Sequence, residues 1–275
     1  MPMILRTSNE WERAVRRVLH IGPPNSWKTA LLATYPKPIG YVCSPREVGH
    51  STMPQVEGIT SFIWEPEKDK EMPSSLELTK QMWTAIEELI AGKYGEIQTL
   101  AIDGIHKWCR LYVDAEARDK WADVSKDEFG RTVAVGYQNW FKKLQLVCQS
   151  HVPHIACTVW DAYEKDDPLD DSKKAPQHIY PALPGQAAKQ SIGEFGMCLF
   201  HEQDDMKPGT FMLKTKPGGR VWGAGTKVPV EVARRIPAKI NPCDSQGNLI
   251  GWPVVEKYLQ PITSEVPKSV RQTPC

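Results

Sequence analysis

A chain of 275 residues exceeds the roughly 100–200 of an average domain, yet α/β sheets run to this size as one unit. Hydrophobic residues at 41% and charged residues at 24% provide for a large buried core and exclude global disorder. A formal net charge of +1, from 34 basic and 33 acidic residues, excludes a global field that would hold nucleic acid or an anionic membrane. Any DNA contact has to come from a local patch.

The seven cysteines are odd in number and lack framework spacing, as expected of thiols in a reducing compartment, so the cytoplasm is the expected location. The opening MPMILRTSNEWERAVRR has no apolar signal core. No stretch approaches the roughly 18 apolar residues of a membrane span. Neither secretion nor membrane insertion is expected.

In chain order, short apolar runs predict strands near 15–21, 39–43, 60–64, 99–102 and 154–159, alternating with longer amphipathic segments. That alternation is the pattern of a mostly parallel sheet with crossover helices. The clearest helix covers 74–93, with Leu78, Met82, Ile86, Leu89 and Ile90 on one face, serines at its start and Gly92 and Gly95 near its end. A second helix follows Asp103. A third covers about 132–150, with Val135, Trp140, Leu144 and Val147 as its apolar stripe. The polar segment 161–177, with Pro168 and Pro176, reads as a long mobile loop. In the last third, 194–200, 210–216 and 220–222 read as antiparallel strands, with Pro217-Gly218-Gly219 as a turn. One domain over 1–262 and a frayed tail over 263–275 complete the reading.

The segment RRVLHIGPPNSWKTALLA sets a strand, a loop opening at Gly22, a Lys-Thr pair and a helical start in that order. A phosphate loop needs this context. The loop Gly22, Pro23, Pro24, Asn25, Ser26, Trp27, Lys28, Thr29 would cradle phosphates with its backbone N–H groups. Lys28 would reach the β- and γ-phosphates of ATP, and the Thr29 hydroxyl would ligate Mg²⁺. Trp27 stands where the pattern Gly-x-x-x-x-Gly-Lys-Ser/Thr has its second glycine. A bulky residue there strains the backbone but keeps its N–H.

The run Ile97 to Asp103 is an apolar strand ending in a carboxylate, the form of the element that holds Mg²⁺ in such proteins; Asp103 as the cap of the next helix is the other reading. Glu47, just past the second strand, stands where a base would orient an attacking water, or is a solvated loop carboxylate.

On these residues the chain resembles the phage-encoded RecA-like, AAA-type P-loop nucleotide-binding proteins, some of them similar to single-strand-annealing recombination ATPases. The resemblance runs from about Val18 to Tyr258. It also rests on the strand end at Thr158, on Ile179-Tyr180-Pro181-Ala182-Leu183-Pro184-Gly185, on Glu194-Phe195 and on Lys214-Thr215-Lys216-Pro217-Gly218-Gly219. It implies a RecA-type α/β core, ATP and Mg²⁺ as ligands, a ring or filament of identical subunits and a role in viral DNA metabolism. It also implies a cation delivered from a neighbouring subunit, for which Lys214 or Lys216 is the candidate, a solvated hairpin lysine being the alternative. In that fold the loop after the fifth strand often touches single-stranded DNA. Here it carries Asp161, Glu164, Asp166, Asp167, Asp170 and Asp171 against Lys165, Lys173 and Lys174, a charge balance that repels phosphates.

Other signals carry less. Cys148, His151, His154 and Cys157 invite a zinc reading, but His154 and Cys157 fall on opposite faces of one strand. Trp83, Trp108, Trp121 and Trp140 read as core or interface anchors, with Trp160 near the phosphate end of its strand. His106 has no nucleophile partner in the sequence. The expected function is a Mg²⁺-dependent ATPase of phage DNA recombination or replication. The alternative is a non-catalytic P-loop serving as an assembly module.

Overall fold

The computed structural model describes residues 10–45, 53, 55–64, 73–117, 126–165, 177–183, 187–203, 210–217 and 224–260. The first half reads α1 (Glu10–Ala14), β1 (Arg17–Ile21), α2 (Lys28–Leu32), β2 (Ile39–Cys43), β3 (Ile59–Phe62), α3 (Ser75–Ile90), β4 (Thr99–Asp103) and α4 (Ile105–Ala117). There follow α5 (Lys126–Gln149), β5 (His154–Val159), β6 (Asp161–Lys165), β7 (Gln177–Pro181), α6 (Ala187–Glu194) and β8 (Met197–Gln203). The chain continues through β9 (Phe211–Lys214), β10 (Gly225–Thr226), α7 (Val230–Arg235), β11 (Lys239–Ile240) and α8 (Trp252–Glu256).

Strands β1, β2, β4 and β5 are buried along their whole length, as their predominantly apolar runs require of parallel strands covered on both faces. The sheet order is β11-β9-β8-β1-β5-β4-β2-β3, with β10 also paired to β8. Pairs from β8 through β3 are parallel, while β9, β10 and β11 add antiparallel edges. The protein is thus α/β, with a mixed, mostly parallel sheet and flanking helices.

The chain leaves β1 outward to β2 and β3, then returns through β4 and β5 to β8 on the other side of β1. Right-handed crossovers put outward and return connections on opposite faces. Accordingly Leu31 and Leu32 of α2 and Met53 pack in one cluster with α7 and α8. The return helices α3, α4, α5 and α6 pack in the other. At the carboxyl end of β1 the loop therefore turns to one face, while those after β4 and β5 turn to the other. Such a switch point is where open α/β sheets bind ligands.

Helix α3 begins where Ser74 Oγ accepts from Glu77 N at 3.2 Å and ends before Gly92 (φ 75°) and Gly95 (φ 96°). It buries Leu78, Met82, Ala85, Ile86 and Leu89, with Ile90 half-buried at the margin. Trp108 of α4 and Trp140 of α5 are fully buried and meet edge to face at 6.1 Å. Gly136 lets these two helices touch, since a Cβ there would lie 2.5 Å from Val113 Cα. The buried Arg17 guanidinium closes the end of α5, donating to Cys148 O at 2.9 Å, Ser150 O at 2.9 Å and Pro153 O at 2.8 Å.

Three expectations need correction. Residues 161–177 are not loop throughout, because β6 and β7 pair as an antiparallel ribbon in which Asp161 faces Pro181 and Lys165 faces Gln177. The strand expected over 194–200 is β8. It pairs in parallel with β1 and antiparallel only with β9 and β10, while Glu194 ends α6. The third helix starts at Lys126, earlier than its apolar stripe suggested. The strand expected at 220–222, the tail 263–275 and Trp121 lie outside the described residues. Among those described, no helix is long and apolar enough to cross a membrane.

Candidate functional site

Gly22 follows β1 directly, and its N–H donates to Val159 O at 3.3 Å. A Cβ at Gly22 would lie 2.8 Å from His201 Cβ, so only glycine fits between the loop and β8. Asn25 (φ 61°) and Trp27 (φ 62°) are both left-handed. Trp27 thus takes the kind of backbone conformation that the missing glycine makes easy, at a cost of about 1–2 kcal/mol. Its indole meets Phe211 of β9 edge to face at 5.6 Å, and such pairs contribute about 0.5–1.5 kcal/mol. The two magnitudes match, so an aromatic residue is tolerated where the pattern asks for none.

Lys28 opens α2 and is buried. Its ammonium donates to Gly22 O at 2.8 Å, Pro23 O at 2.5 Å and Ser26 Oγ at 3.1 Å. Helix α2 itself is only five residues long. The next residue, Thr29, donates to Asp103 Oδ2 at 2.7 Å. Asp103 ends β4 and is 3% exposed. The same oxygen accepts from Tyr41 OH at 2.8 Å, and Oδ1 accepts from Thr158 Oγ1. Thr158 Oγ1 in turn accepts from Gly104 N at 2.8 Å. Burial, and after it the Asp103 carboxylate, raises the Tyr41 phenol well above its ordinary range, so Tyr41 stays a donor.

A line of buried polar groups supports the loop from below. The Ser26 carbonyl can only accept, so His201 Nδ1, 2.7 Å away, carries a proton and donates to it. In neutral His201, Nε2 is then the acceptor, and His20 Nδ1 donates to it at 3.0 Å. His20 Nε2 is left to accept from the Tyr35 hydroxyl at 2.8 Å. One set of tautomers satisfies the whole line. Burial pushes His201 down to about 3, with Lys28 adding to the effect. Burial and then His201 and Lys28 hold His20 well below the usual imidazole range. Both rings are neutral at physiological pH.

Near the same strand ends, the His106 and Trp160 rings lie with centroids 4.7 Å apart and planes tilted by 33°, and the Lys107 ammonium lies 4.9 Å from the Trp160 ring centre. Burial, followed by Lys107 and Lys28, pushes His106 down to about 3.

The expected loop residues and Asp103 therefore come together, while Glu47 lies outside the described residues. Lys214 pairs with Phe200, which is level with Ile21, and its ammonium is 3.9 Å from Glu202 Oε1. Lys216 follows β9 and is half-buried. Sequence reading missed Tyr41, His20, His201 and Phe211. The signal was a ring bearing a polar atom in a strand otherwise apolar for Tyr41, and a histidine flanked by apolar residues within β1 for His20.

Among the described residues no group of three His, Cys, Asp or Glu side chains is disposed to hold a metal ion. Of the oxygen groups gathered there, the Thr29 hydroxyl and the Asp103 carboxylate are the pair that would take a cation, while Tyr41 and Thr158 donate to the carboxylate. That sparse, hard set fits Mg²⁺, which keeps several waters and takes few protein ligands. No protein-family model matches the chain, and no curated protein does.

Proposed function

We propose that the chain is a RecA-like P-loop protein that binds ATP with Mg²⁺ and hydrolyses it, serving phage DNA recombination or replication as a homo-oligomer. The observation that supports this most directly is the contact of Thr29 with Asp103, Thr29 following Lys28 in the chain. It joins a hydroxyl and a carboxylate suited to a divalent cation to a cation suited to phosphate, at the switch point of the sheet.

In this reading Lys28 exchanges its loop carbonyls for β- and γ-phosphate oxygens, and the amides of Gly22 to Thr29 line the phosphates. Thr29 and Asp103 hold Mg²⁺, which when bound offsets phosphate charge. Tyr41 and Thr158 fix the carboxylate's orientation, as outer hydrogen-bond partners do for metal ligands. Glu47 orients the attacking water, and Lys216 of a neighbouring subunit offsets charge developing in transfer. Single-stranded DNA is a possible further ligand of the assembly.

A second reading, a non-catalytic loop in an assembly module, is favoured by Trp27 and by the oxygen cage that already holds Lys28. Phosphate release from Mg²⁺-ATP separates the two. The ATPase reading expects turnover that Lys28→Ala and Asp103→Asn each lower at least about 100-fold, of the order seen when a charge-stabilising group is removed. No turnover in the unaltered protein, with and without single-stranded DNA, sinks it.

A further inference from the structure

Residues of the hairpin formed by β8 and β9 touch the phosphate loop at two separate points. His201 of β8 donates from Nδ1 to the Ser26 carbonyl at 2.7 Å, and its Cβ leaves space at Gly22 for glycine alone. Phe211 opens β9 and sets its ring against Trp27 at 5.6 Å. These contacts fall on Ser26 and Trp27, the two residues before Lys28. Ser26 reaches Lys28 Nζ with its hydroxyl, and Trp27 carries the left-handed torsion just before Lys28. The direction of the first contact is also set. His20 and Tyr35 supply donors in sequence behind His201, so its Nδ1 proton has no competing acceptor.

A glycine takes a left-handed torsion without help; a tryptophan does not. From this we propose that the β8–β9 hairpin is the positioning device of the phosphate loop, with Phe211 and His201 holding Trp27 and Ser26 in the conformation that a second glycine would otherwise permit. The inference rests on the nucleotide-binding reading of the loop. It adds to that site a positioning element outside the loop itself. The hairpin also carries Lys214, so the element that holds the loop bears one of the two lysines considered for delivery to a neighbouring subunit.

The test is a double-mutant cycle on the full chain between Trp27→Gly and Phe211→Ala, with Phe211→Leu as a variant that retains apolar packing without a ring. Mg²⁺-ATP affinity is read by calorimetry, and amide exchange of residues 22–32 is read without nucleotide. Phe211→Ala should weaken ATP binding about tenfold in the Trp27 protein, and less than about twofold once Trp27 is glycine. Loop exchange should quicken by a similar factor in the Trp27 protein. His201→Leu should quicken exchange as well, and His201→Asn, which keeps a donor near the Nδ1 position, should restore it. Equal weakening by Phe211→Ala in both backgrounds, or loop exchange unchanged by the variants, overturns the proposal. If no variant binds ATP, Trp27→Gly included, the nucleotide reading fails, and exchange measured without ligand decides the hairpin's role by itself.

Discussion

Thr29 and Asp103 stand 74 positions apart in the chain and meet side chain to side chain at 2.7 Å. Asp103 accepts in addition from Tyr41 and Thr158, so removing its carboxylate strands three hydroxyl donors in a buried place. Asp103→Ala is expected to cost several kcal/mol of stability, since each buried donor left without its acceptor costs about 1–3 kcal/mol. Asp103→Asn keeps the volume and part of the acceptor capacity and should cost about 1–2 kcal/mol. Urea unfolding of both variants checks the order.

Arg17 predicts a second loss. Its guanidinium is buried and donates to three carbonyls around the end of α5. Burial, and then Arg13, lowers its pKa to about 10, which still leaves it charged at neutral pH. Hydrogen bonds from a charged donor contribute about 1.5–3 kcal/mol each at most, so Arg17→Ala should destabilise by several kcal/mol. Arg17→Lys should recover less than half, because an ammonium does not reproduce the planar fork. Thermal melts of the two variants test this.

The close crossing of α4 and α5 sets two effects against each other at Gly136. Alanine gains about 1 kcal/mol of helix propensity over glycine. Against this, the added Cβ would sit 2.5 Å from Val113 Cα and 2.9 Å from Tyr112 O, backbone positions that cannot move alone. Overpacking costs about 1–3 kcal/mol or more, so Gly136→Ala should be net destabilising. A stabilised variant in denaturant melts would show that the helices separate freely.

The neutral His20 and His201 set a pH dependence. Both pKa values lie below the ordinary 6.5 of a free imidazole, His201 at about 3. The unfolded chain therefore binds more protons in the window between these values. Stability is nearly complete above about pH 7 and falls as the pH drops towards 3, by about 1 kcal/mol at pH 5.5 for His201, with His20 acting in the same direction. In His201→Asn the slope of unfolding free energy against pH between 7 and 5 should be shallower by one histidine's share. An unchanged slope would mean that His201 is not buried neutral.

The strands that build the centre of the sheet were legible because parallel strands covered on both faces are predominantly apolar runs. The α3 periodicity was legible because Leu78, Met82, Ile86 and Leu89 recur at helical spacing. The β6–β7 ribbon was hidden, since its alternating polar residues and prolines look like a loop until the strands pair. The parallel pairing of β8 with β1 was hidden as well, because composition says what is buried and not which strand lies alongside. In the site, the Gly22 to Thr29 spacing and the terminal Asp103 stood out by motif. Tyr41, Thr158, His20 and His201 act through contacts between strands distant in sequence, and of these only Thr158 was marked beforehand, by the resemblance. Trp27 read as a defect in the loop until its torsion and its contact with Phe211 were visible together.

The most direct test of the central claim is calorimetric titration of the full chain with ATP in the presence and absence of Mg²⁺, with Lys28→Ala as the comparison. The account predicts saturable, Mg²⁺-dependent binding that Lys28→Ala abolishes while the melting profile shows the variant still folded. ATP binding of equal strength in the Lys28→Ala protein, or no binding to the unaltered chain, would contradict it.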